Sequence, residues 1–246
     1  MAIIGAYCWL SMAQHAKNPL DTTIPNLFQM IDGVKKACLP DRLGNIWILQ
    51  DCYATGSRLM LGLLIGVVAA VVGGIAMGCY RHLSALFMPP IVILSKVPPT
   101  AMLAIYFVVF GMNENLMIAI IALGVIPSLT VAIYSSVDKD ISENLIHKSL
   151  TLGASHLDII EAVIFRHILP RILQNIQLQI GPAMVFLIAV EWLVANVGFG
   201  YRLRMQSRLL NMNVVYFYLM LLAVSGFFIE YSLTVLRRKT CRWFGE

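Results

Sequence analysis

Charged residues are scarce in this chain: Asp, Glu, Lys and Arg make up only 13% of its 246 residues, whereas 59% are hydrophobic. The mean hydropathy of +0.78 is too high for an ordinary soluble domain. The scarcity of charge therefore argues against a soluble protein and predicts that the bilayer is the solvent. The net charge of +5 fits basic residues that flank membrane helices, and no basic run with interleaved aromatics indicates a nucleic-acid partner.

Motifs of common enzyme sites are missing as well. The five histidines, at positions 15, 82, 147, 156 and 167, contain no His-x-x-x-His or His-Glu-x-x-His pair, so no metal site is expected. The phosphate-binding pattern Gly-x-x-x-x-Gly-Lys does not occur either. We therefore expect a protein that is not an enzyme and binds no cofactor itself, so that any energy from ATP must come through another polypeptide.

Cysteine use is sparse and gives one candidate bond. The five cysteines, at positions 8, 38, 52, 79 and 241, show no Cys-x-x-Cys spacing. Cys38 and Cys52 would share one extracytoplasmic loop, where an oxidising environment permits a disulfide. The alternative, two unrelated thiols, stays open.

Long apolar stretches dominate the rest of the chain. Five of them have a length that suits a spanning helix: residues 59–80, 83–110, 116–137, 172–190 and 210–229. The second of these is interrupted by Lys96-Val97-Pro98-Pro99. A sixth stretch, 2–13, is shorter than the roughly 20 residues that a span requires. The pattern predicts an all-α, polytopic membrane bundle of about six transmembrane helices.

The segment between Lys17 and Arg58 is mixed in character. Several apolar residues recur in it at helical spacing: Ile24, Leu27, Phe28, Ile31 and Val34. Such a face is typical of an amphipathic helix on the membrane surface. A helix packed against the spans is the alternative, and the sequence does not separate the two.

Residues 138–170 form a polar, charge-rich segment between two apolar runs, and their pattern predicts a helix, a tight turn and a second helix. Asp140 and Glu143 have the spacing of a capping box at the start of the first helix. Gly153 can end that helix in a left-handed conformation. The segment is thus expected to be a compact helix pair outside the hydrocarbon.

The second helix of this pair has its own start signal. Ser155 and Asp158 repeat the capping spacing, and Pro170 can begin the following helix at its first position. One apolar stripe is predicted along the second helix, made of Leu157, Ile160, Ile164 and Ile168.

This helix pair resembles the cytoplasmic coupling loop of binding-protein-dependent ABC importer permeases. Gly153-Ala154-Ser155 and Leu169-Pro170 carry the resemblance. Residues 147–149 read His-Lys-Ser where the family has Glu-Ala-Ala, which leaves the electrostatics of the ATPase contact open. The resemblance implies a set of ATPase-coupling residues: His147, Lys148, Ser149, Leu152, Gly153, Ala154, Ser155 and Asp158. An ordinary cytoplasmic loop with two surface helices is the alternative.

Further phrases resemble the nitrate, sulfonate and taurine branch of these permeases. They are Lys96-Val97-Pro98-Pro99-Thr100-Ala101, Phe110-Gly111, Glu191-Trp192-Leu193-Val194-Ala195 and Gly198-Phe199-Gly200-Tyr201. The resemblance implies that residues 1–246 form a single importer transmembrane domain, with its coupling loop at about 138–170. It also implies that the solute is a small polar anion such as nitrate, taurine or a sulfonate.

The partners follow from the same resemblance. They are a second permease subunit in a homodimer, two ATP-binding subunits that use ATP and Mg, a periplasmic solute-binding protein and membrane lipid. The expected location is the bacterial inner membrane, with several spans and both termini in the cytoplasm. An ATP-independent secondary transporter or channel is the competing hypothesis.

Polar residues inside apolar stretches are candidates for the translocation pathway, because a charge in hydrocarbon costs at least about 2.5–3.5 kcal/mol. The candidate pathway residues are Lys96, Pro98, Pro99, Gln174, Gln177 and Glu191. Snorkelling of Lys96 to the membrane interface and a structural hydrogen bond from Glu191 to a neighbouring helix remain as alternatives.

Overall fold

The structure, a computed structural model, describes residues 2–17, 22–40, 44 and 46–241. These residues form helices, and no β-strand occurs among them. The α-helices are α1 (Ala2–Lys17), α2 (Leu27–Cys38), α3 (Trp47–Cys79), α4 (Arg81–Lys96), α5 (Leu103–Phe110), α6 (Glu114–Asp140), α7 (Glu143–Thr151), α8 (His156–Asp158), α9 (Arg166–Val194), α10 (Phe199–Arg208) and α11 (Met212–Thr240). A 3₁₀ turn, Pro99–Met102, precedes α5, and a π-helical stretch, Ile159–Phe165, joins α8 to α9. The all-α prediction is confirmed.

Four continuous helical stretches in the described residues are long and apolar enough to cross a membrane: Trp47–Cys79, Glu114–Asp140, His156–Val194 and Met212–Thr240. The pair Arg81–Lys96 and Pro99–Phe110, bent by 90°, makes a fifth if both halves form one span. Helix α1 has 16 residues and falls short of a full span, in line with the weak first stretch of the sequence.

The break in the fifth candidate span has a local cause. The residue before a proline avoids the helical region, and Val97 accordingly has φ −85° and ψ 121°. Pro98 follows in an extended conformation, and Pro99 then begins the 3₁₀ turn, where its missing N–H costs no helical hydrogen bond. The predicted interruption by prolines is confirmed.

The chain divides into two compact units, Met1–Ser57 with Ile188–Ser225 and Arg58–Leu187 with Gly226–Glu246. In the first unit, α2 packs through its small residues. A Cβ added at Gly33 would lie 2.6 Å from the Asn213 carbonyl oxygen, and Ala37 is fully buried beside Val214 and Tyr218. Phe28, Ile31 and Val34 are exposed, so the predicted apolar face is not the face that packs within this unit.

The cysteine prediction receives no support from this unit. Cys38 ends α2, whereas Cys52 lies within α3, because that helix begins at Trp47, well before the start of the apolar stretch at residue 59. Both side chains are exposed free thiols.

In the second unit, α3 and α6 approach closely along a row of glycines. A Cβ added at Gly74 would lie 2.8 Å from Cβ of Ile133, nearer than real Cβ atoms approach, whereas one added at Gly73 would make an ordinary 3.7 Å contact with Thr130. At the Arg58 end of this helix pair, Arg58 is buried and donates from Nε and Nη2 to the Glu114 carboxylate, with both distances 2.6 Å.

We predict that Gly74→Ala destabilises the protein and Gly73→Ala does not. At position 74 the methyl group would push the two helices apart, at a cost of about 1–3 kcal/mol. At position 73 alanine has room and favours the helix. Thermal unfolding of the two variants in the same detergent measures the difference, and equal melting temperatures would contradict the close approach.

Candidate functional site

The turn between α7 and α8 ends the first helix of the predicted pair at Gly153. This residue has φ +85°, in the left-handed region that the sequence predicted. The Gly153 N–H donates to the Leu150 carbonyl at 3.0 Å, and the Ala154 N–H donates to the Ser149 carbonyl at 3.1 Å. These two bonds are the Schellman arrangement, which satisfies carbonyls at the end of a helix. The predicted role of Gly153 as a helix terminator is confirmed.

The two predicted capping boxes have opposite outcomes. Ser155 and Asp158 form one: the Asp158 N–H donates to Ser155 Oγ at 3.3 Å, and the Ser155 N–H donates to Asp158 Oδ2 at 3.0 Å. The box at Asp140 is wrong, because α6 continues through Asp140 and α7 has Ser142 at its N-cap without a side-chain cap. The Asp140 carboxylate instead lies 3.2 Å from Nε of Arg171.

The apolar stripe of the second helix is also shifted from its predicted position. Ile159, Ile164 and Ile168 are buried, whereas Leu157 is 75% exposed. The first two buried positions are five residues apart, since the backbone between them is π-helical and bonds residue i to i+5. Pro170 lies inside α9 rather than at its first position, so the predicted boundary there is wrong.

Two large apolar side chains flank the Gly153 turn without cover in the monomer. Leu152 is 87% exposed and Leu157 is 75% exposed. Burying such a side chain is worth about 1.5–3 kcal/mol, so an exposed pair on a polar segment is typical of a docking contact. His147 and Lys148 are exposed on the preceding helix, so basic side chains lie near this apolar tip.

A cleft of about 640 Å³ opens beside the broken span in the second unit. Three of the predicted pathway residues, Lys96, Pro98 and Pro99, line it from the break. The middle of α6 contributes Ser128, and the middle of α9 contributes Gln179. Hydrophobic residues form most of the remaining wall, among them Met102, Leu123, Ile126 and Phe186.

Two predicted pathway residues do not line this cleft. Gln177 donates to Thr234 Oγ1 at 2.8 Å and so contacts α11, and Gln174 is half-buried elsewhere on α9. The glutamine of α9 that lines the cleft is Gln179, because it lies on the same helical face as Pro182 and Phe186, which also line it.

Glu191 makes structural hydrogen bonds inside the first unit. Its side chain is fully buried in the first unit. It accepts a hydrogen bond from Thr55 Oγ1 at 2.9 Å and another from the Gly200 N–H at 2.9 Å. Of the two alternatives for this residue, the hydrogen bond to a neighbouring helix is the one that the structure contains.

A second buried carboxylate, Asp51, holds the start of α10 beside Glu191. Asp51 accepts from the Gly198 N–H at 2.9 Å, from Tyr218 Oη at 2.8 Å and from Arg202 Nε at 2.8 Å. Arg204 donates instead to carbonyl oxygens at the end of α9 and just beyond it, those of Trp192, Leu193 and Ala195. These two arginines are therefore engaged by the protein itself.

Comparison with known proteins identifies the fold family. Residues 62–241 match the family described as the inner membrane component of binding-protein-dependent transport systems. This range contains both the Gly153 turn and the cleft. The chain belongs to this family. It is a permease component of an ABC importer, an inner-membrane transport subunit rather than an enzyme.

Relatives of the permease point to one branch. It is 26% identical to the taurine transport system permease protein TauC of Escherichia coli over 246 residues, which cover 100% of this chain and 88% of that protein. It is also 26% identical to the putative aliphatic sulfonates transport permease protein SsuC of Bacillus subtilis, over 91% of this chain and 86% of the relative. These names match the sulfonate and taurine branch that the sequence phrases indicated.

A solved structure agrees with the fold. The permease superposes with a TM-score of 0.60 on a chain from the inward-facing MetNI methionine ABC transporter, at 17% identity. The superposition covers 87% of this chain and 97% of that one.

Sequence reasoning missed two residues of these sites. Asp51 lies in a stretch treated as a loop, and no periodicity marked it as buried. Gln179 is not among the predicted pathway residues, because its position opposite Ser128 depends on helix packing. A signal was available for Gln179, since it shares a helical face with Pro182.

We predict that Gly153→Val abolishes transport while the permease still reaches the membrane. No atom lies within 4 Å of an added Cβ, so the penalty of about 1–2 kcal/mol arises from the left-handed backbone and not from a clash. Gly153→Asn is the matched control, because asparagine tolerates this conformation. Uptake and membrane content of both variants are measured together, and normal uptake by the valine variant would remove the turn from the coupling mechanism.

We predict that Glu191→Gln lowers thermal stability and leaves the KM for solute uptake unchanged. Glutamine replaces one carboxylate oxygen with an NH₂ group that cannot accept, and its remaining oxygen is uncharged, so the hydrogen bonds from Thr55 and Gly200 weaken, at about 1–3 kcal/mol. Thermal unfolding in detergent and uptake kinetics separate the two roles. A raised KM with unchanged stability would return Glu191 to the pathway.

Proposed function

We propose that this permease passes a small organosulfonate of the taurine and aliphatic sulfonate class across the inner membrane by ATP-driven alternating access. The observation that carries the proposal is the Gly153 turn with its two exposed leucines, Leu152 and Leu157. A rigid turn that presents apolar side chains on a polar segment suits a contact with a partner that moves. The relatives named for taurine and aliphatic sulfonates supply the substrate class.

The working assembly in this proposal has two copies of the permease, two ATP-binding subunits and a solute-binding protein. The chain contains no nucleotide-binding motif of its own, so ATP and Mg belong to the partner subunits. The partner docks on the segment between α6 and α9, which therefore lies on the cytoplasmic side. The span Met212–Thr240 then returns the chain to the cytoplasm at its C-terminal end, and a cytoplasmic N-terminus requires that α1 also crosses the membrane.

Alternating access follows from differential contacts in this assembly. Closure of the ATP-binding subunits displaces the helix pair around Gly153, and the continuous helix from α8 through the π-helical stretch into α9 carries the displacement toward the cleft. Lys96, Pro98 and Pro99 line the pathway where the broken span meets this helix.

The decisive experiment purifies the permease with its native partners and reconstitutes the complex in liposomes. We expect a stoichiometric ATPase to co-purify, and accumulation of labelled taurine or an alkanesulfonate to require the binding protein, ATP and Mg. Flux through the permease alone without ATP would instead establish the competing secondary transporter or channel. Accumulation of an unrelated neutral solute would overturn the substrate class and leave the importer mechanism standing.

A further inference from the structure

The cleft beside the broken span contains a cation in surroundings that lack a counter-charge. Lys96 is the last residue of α4 and lines the cleft, and no acidic residue is among the lining side chains. Within the described part of the chain, no hydrogen bond or ion pair engages its ammonium group. A lysine in such a place is costly in a membrane and is typically matched by a ligand or a partner.

The depth of the cleft makes this cost relevant. Leu123 to Ser128 come from the middle of α6, which extends from Glu114 to Asp140. Gln179 to Phe186 come from the middle of α9, which extends from Arg166 to Val194. Lys96 is exposed and lines this cleft at mid-length of two helices long enough to cross a membrane, so its ammonium is accessible to a solute there.

A second donor lies across the cleft. Ser128 Oγ lies 3.0 Å from Gln179 Oε1 and 3.2 Å from the Val125 carbonyl oxygen, and its single proton serves these two acceptors, so the serine holds Gln179 through the amide oxygen. The amide NH₂ of Gln179 is then left to donate to a ligand. An ammonium and an amide NH₂ that share a cavity provide a charge and directed donors, which together suit an anionic head group with several acceptor oxygens.

The apolar part of the cleft wall suits the end of the ligand that lies opposite the anionic head group. Leu123, Ile126, Met102 and Phe186 present hydrocarbon to the same cavity, and their contact favours a short apolar chain. A bare inorganic anion would leave this surface without a partner. The cavity of about 640 Å³ accommodates a small organic molecule with room for water.

We propose that the permease has its own organosulfonate-binding site, in which Lys96 and Gln179 bind the sulfonate oxygens and the apolar wall contacts the alkyl chain. The substrate class rests on the proposed function, but the site is a separate claim. The membrane subunit itself would then select its solute, in addition to any selection by a binding protein.

Direct binding to the purified permease–ATPase complex, without binding protein, tests the site. The probe is a radiolabelled alkanesulfonate, with unlabelled taurine and nitrate as competitors. We expect Lys96→Gln and Gln179→Leu each to weaken binding by about tenfold or more, the range for hydrogen bonds to charged groups. Taurine should compete better than nitrate, because nitrate lacks an alkyl chain, but less well than the unlabelled alkanesulfonate, because the taurine ammonium meets no acidic side chain in the cleft.

A relocated charge distinguishes ligand contact from a structural role. Lys96 also lies at a helix C-terminus, where a cation stabilises the helix, so its loss alone could act through stability. The double variant Lys96→Gln/Gln179→Lys moves the cation to the other side of the same cleft, and we expect it to recover most of the lost affinity. Lys239→Gln, at an exposed lysine near the end of α11, is the matched control and should bind normally.

Two results would overturn the site. One is wild-type affinity in Lys96→Gln. The other is an absence of alkanesulfonate binding to the wild-type complex at millimolar probe. The ATP hydrolysis and partner assembly of each variant are measured in parallel, so a failed site with intact ATP-driven uptake leaves the proposed function in place. Absence of ATP-driven uptake in the wild-type complex would contradict the proposed function without touching the binding measurement.

Discussion

Hydrocarbon offers no hydrogen bonds, and this constraint governs the structure. A backbone that crosses the membrane must satisfy its own N–H and C=O groups, so the described residues are built from helices with short connections. Irregular backbone at membrane depth is tolerated only where protein or a cavity satisfies it. The break at Pro98 and Pro99 fits this rule, because it lines the cleft. The candidate functional surface thus lies where the helical backbone is interrupted.

The same constraint explains why polar side chains cluster. Buried charges require partners, and Asp51 has three donors, from Arg202, Tyr218 and the Gly198 backbone. Arg58 is matched by two bonds to Glu114. Lys96 differs from these residues because its cleft supplies no anion, and that difference separates a candidate ligand site from structural pairs.

The coupling loop, residues 138–170, is polar, so its structure does not depend on the absence of hydrogen bonds in hydrocarbon. Its shape depends on local chemistry: a left-handed glycine, a Schellman pair of hydrogen bonds and a serine–aspartate capping box. Such features involve residues within a few positions of each other and can be read from sequence. The π-helical stretch that follows is different, because Ile159 and Ile164 are buried by packing against neighbouring helices.

Sequence alone determined the membrane class, the interrupted span, the Gly153 turn and the family, because these depend on composition, proline and glycine chemistry and the order of short phrases. Tertiary structure decided the partners of Glu191, Arg58 and Arg202, and it selected Gln179 over Gln177 as the residue that reaches the cleft. Tertiary packing also buries Ile159, whereas the predicted Leu157 is exposed. The physical reason is the separation of the partners along the chain. A helix cap or a proline kink involves residues within about one turn, whereas a buried charge can pair with a residue far away in the sequence, as Asp51 does with Tyr218.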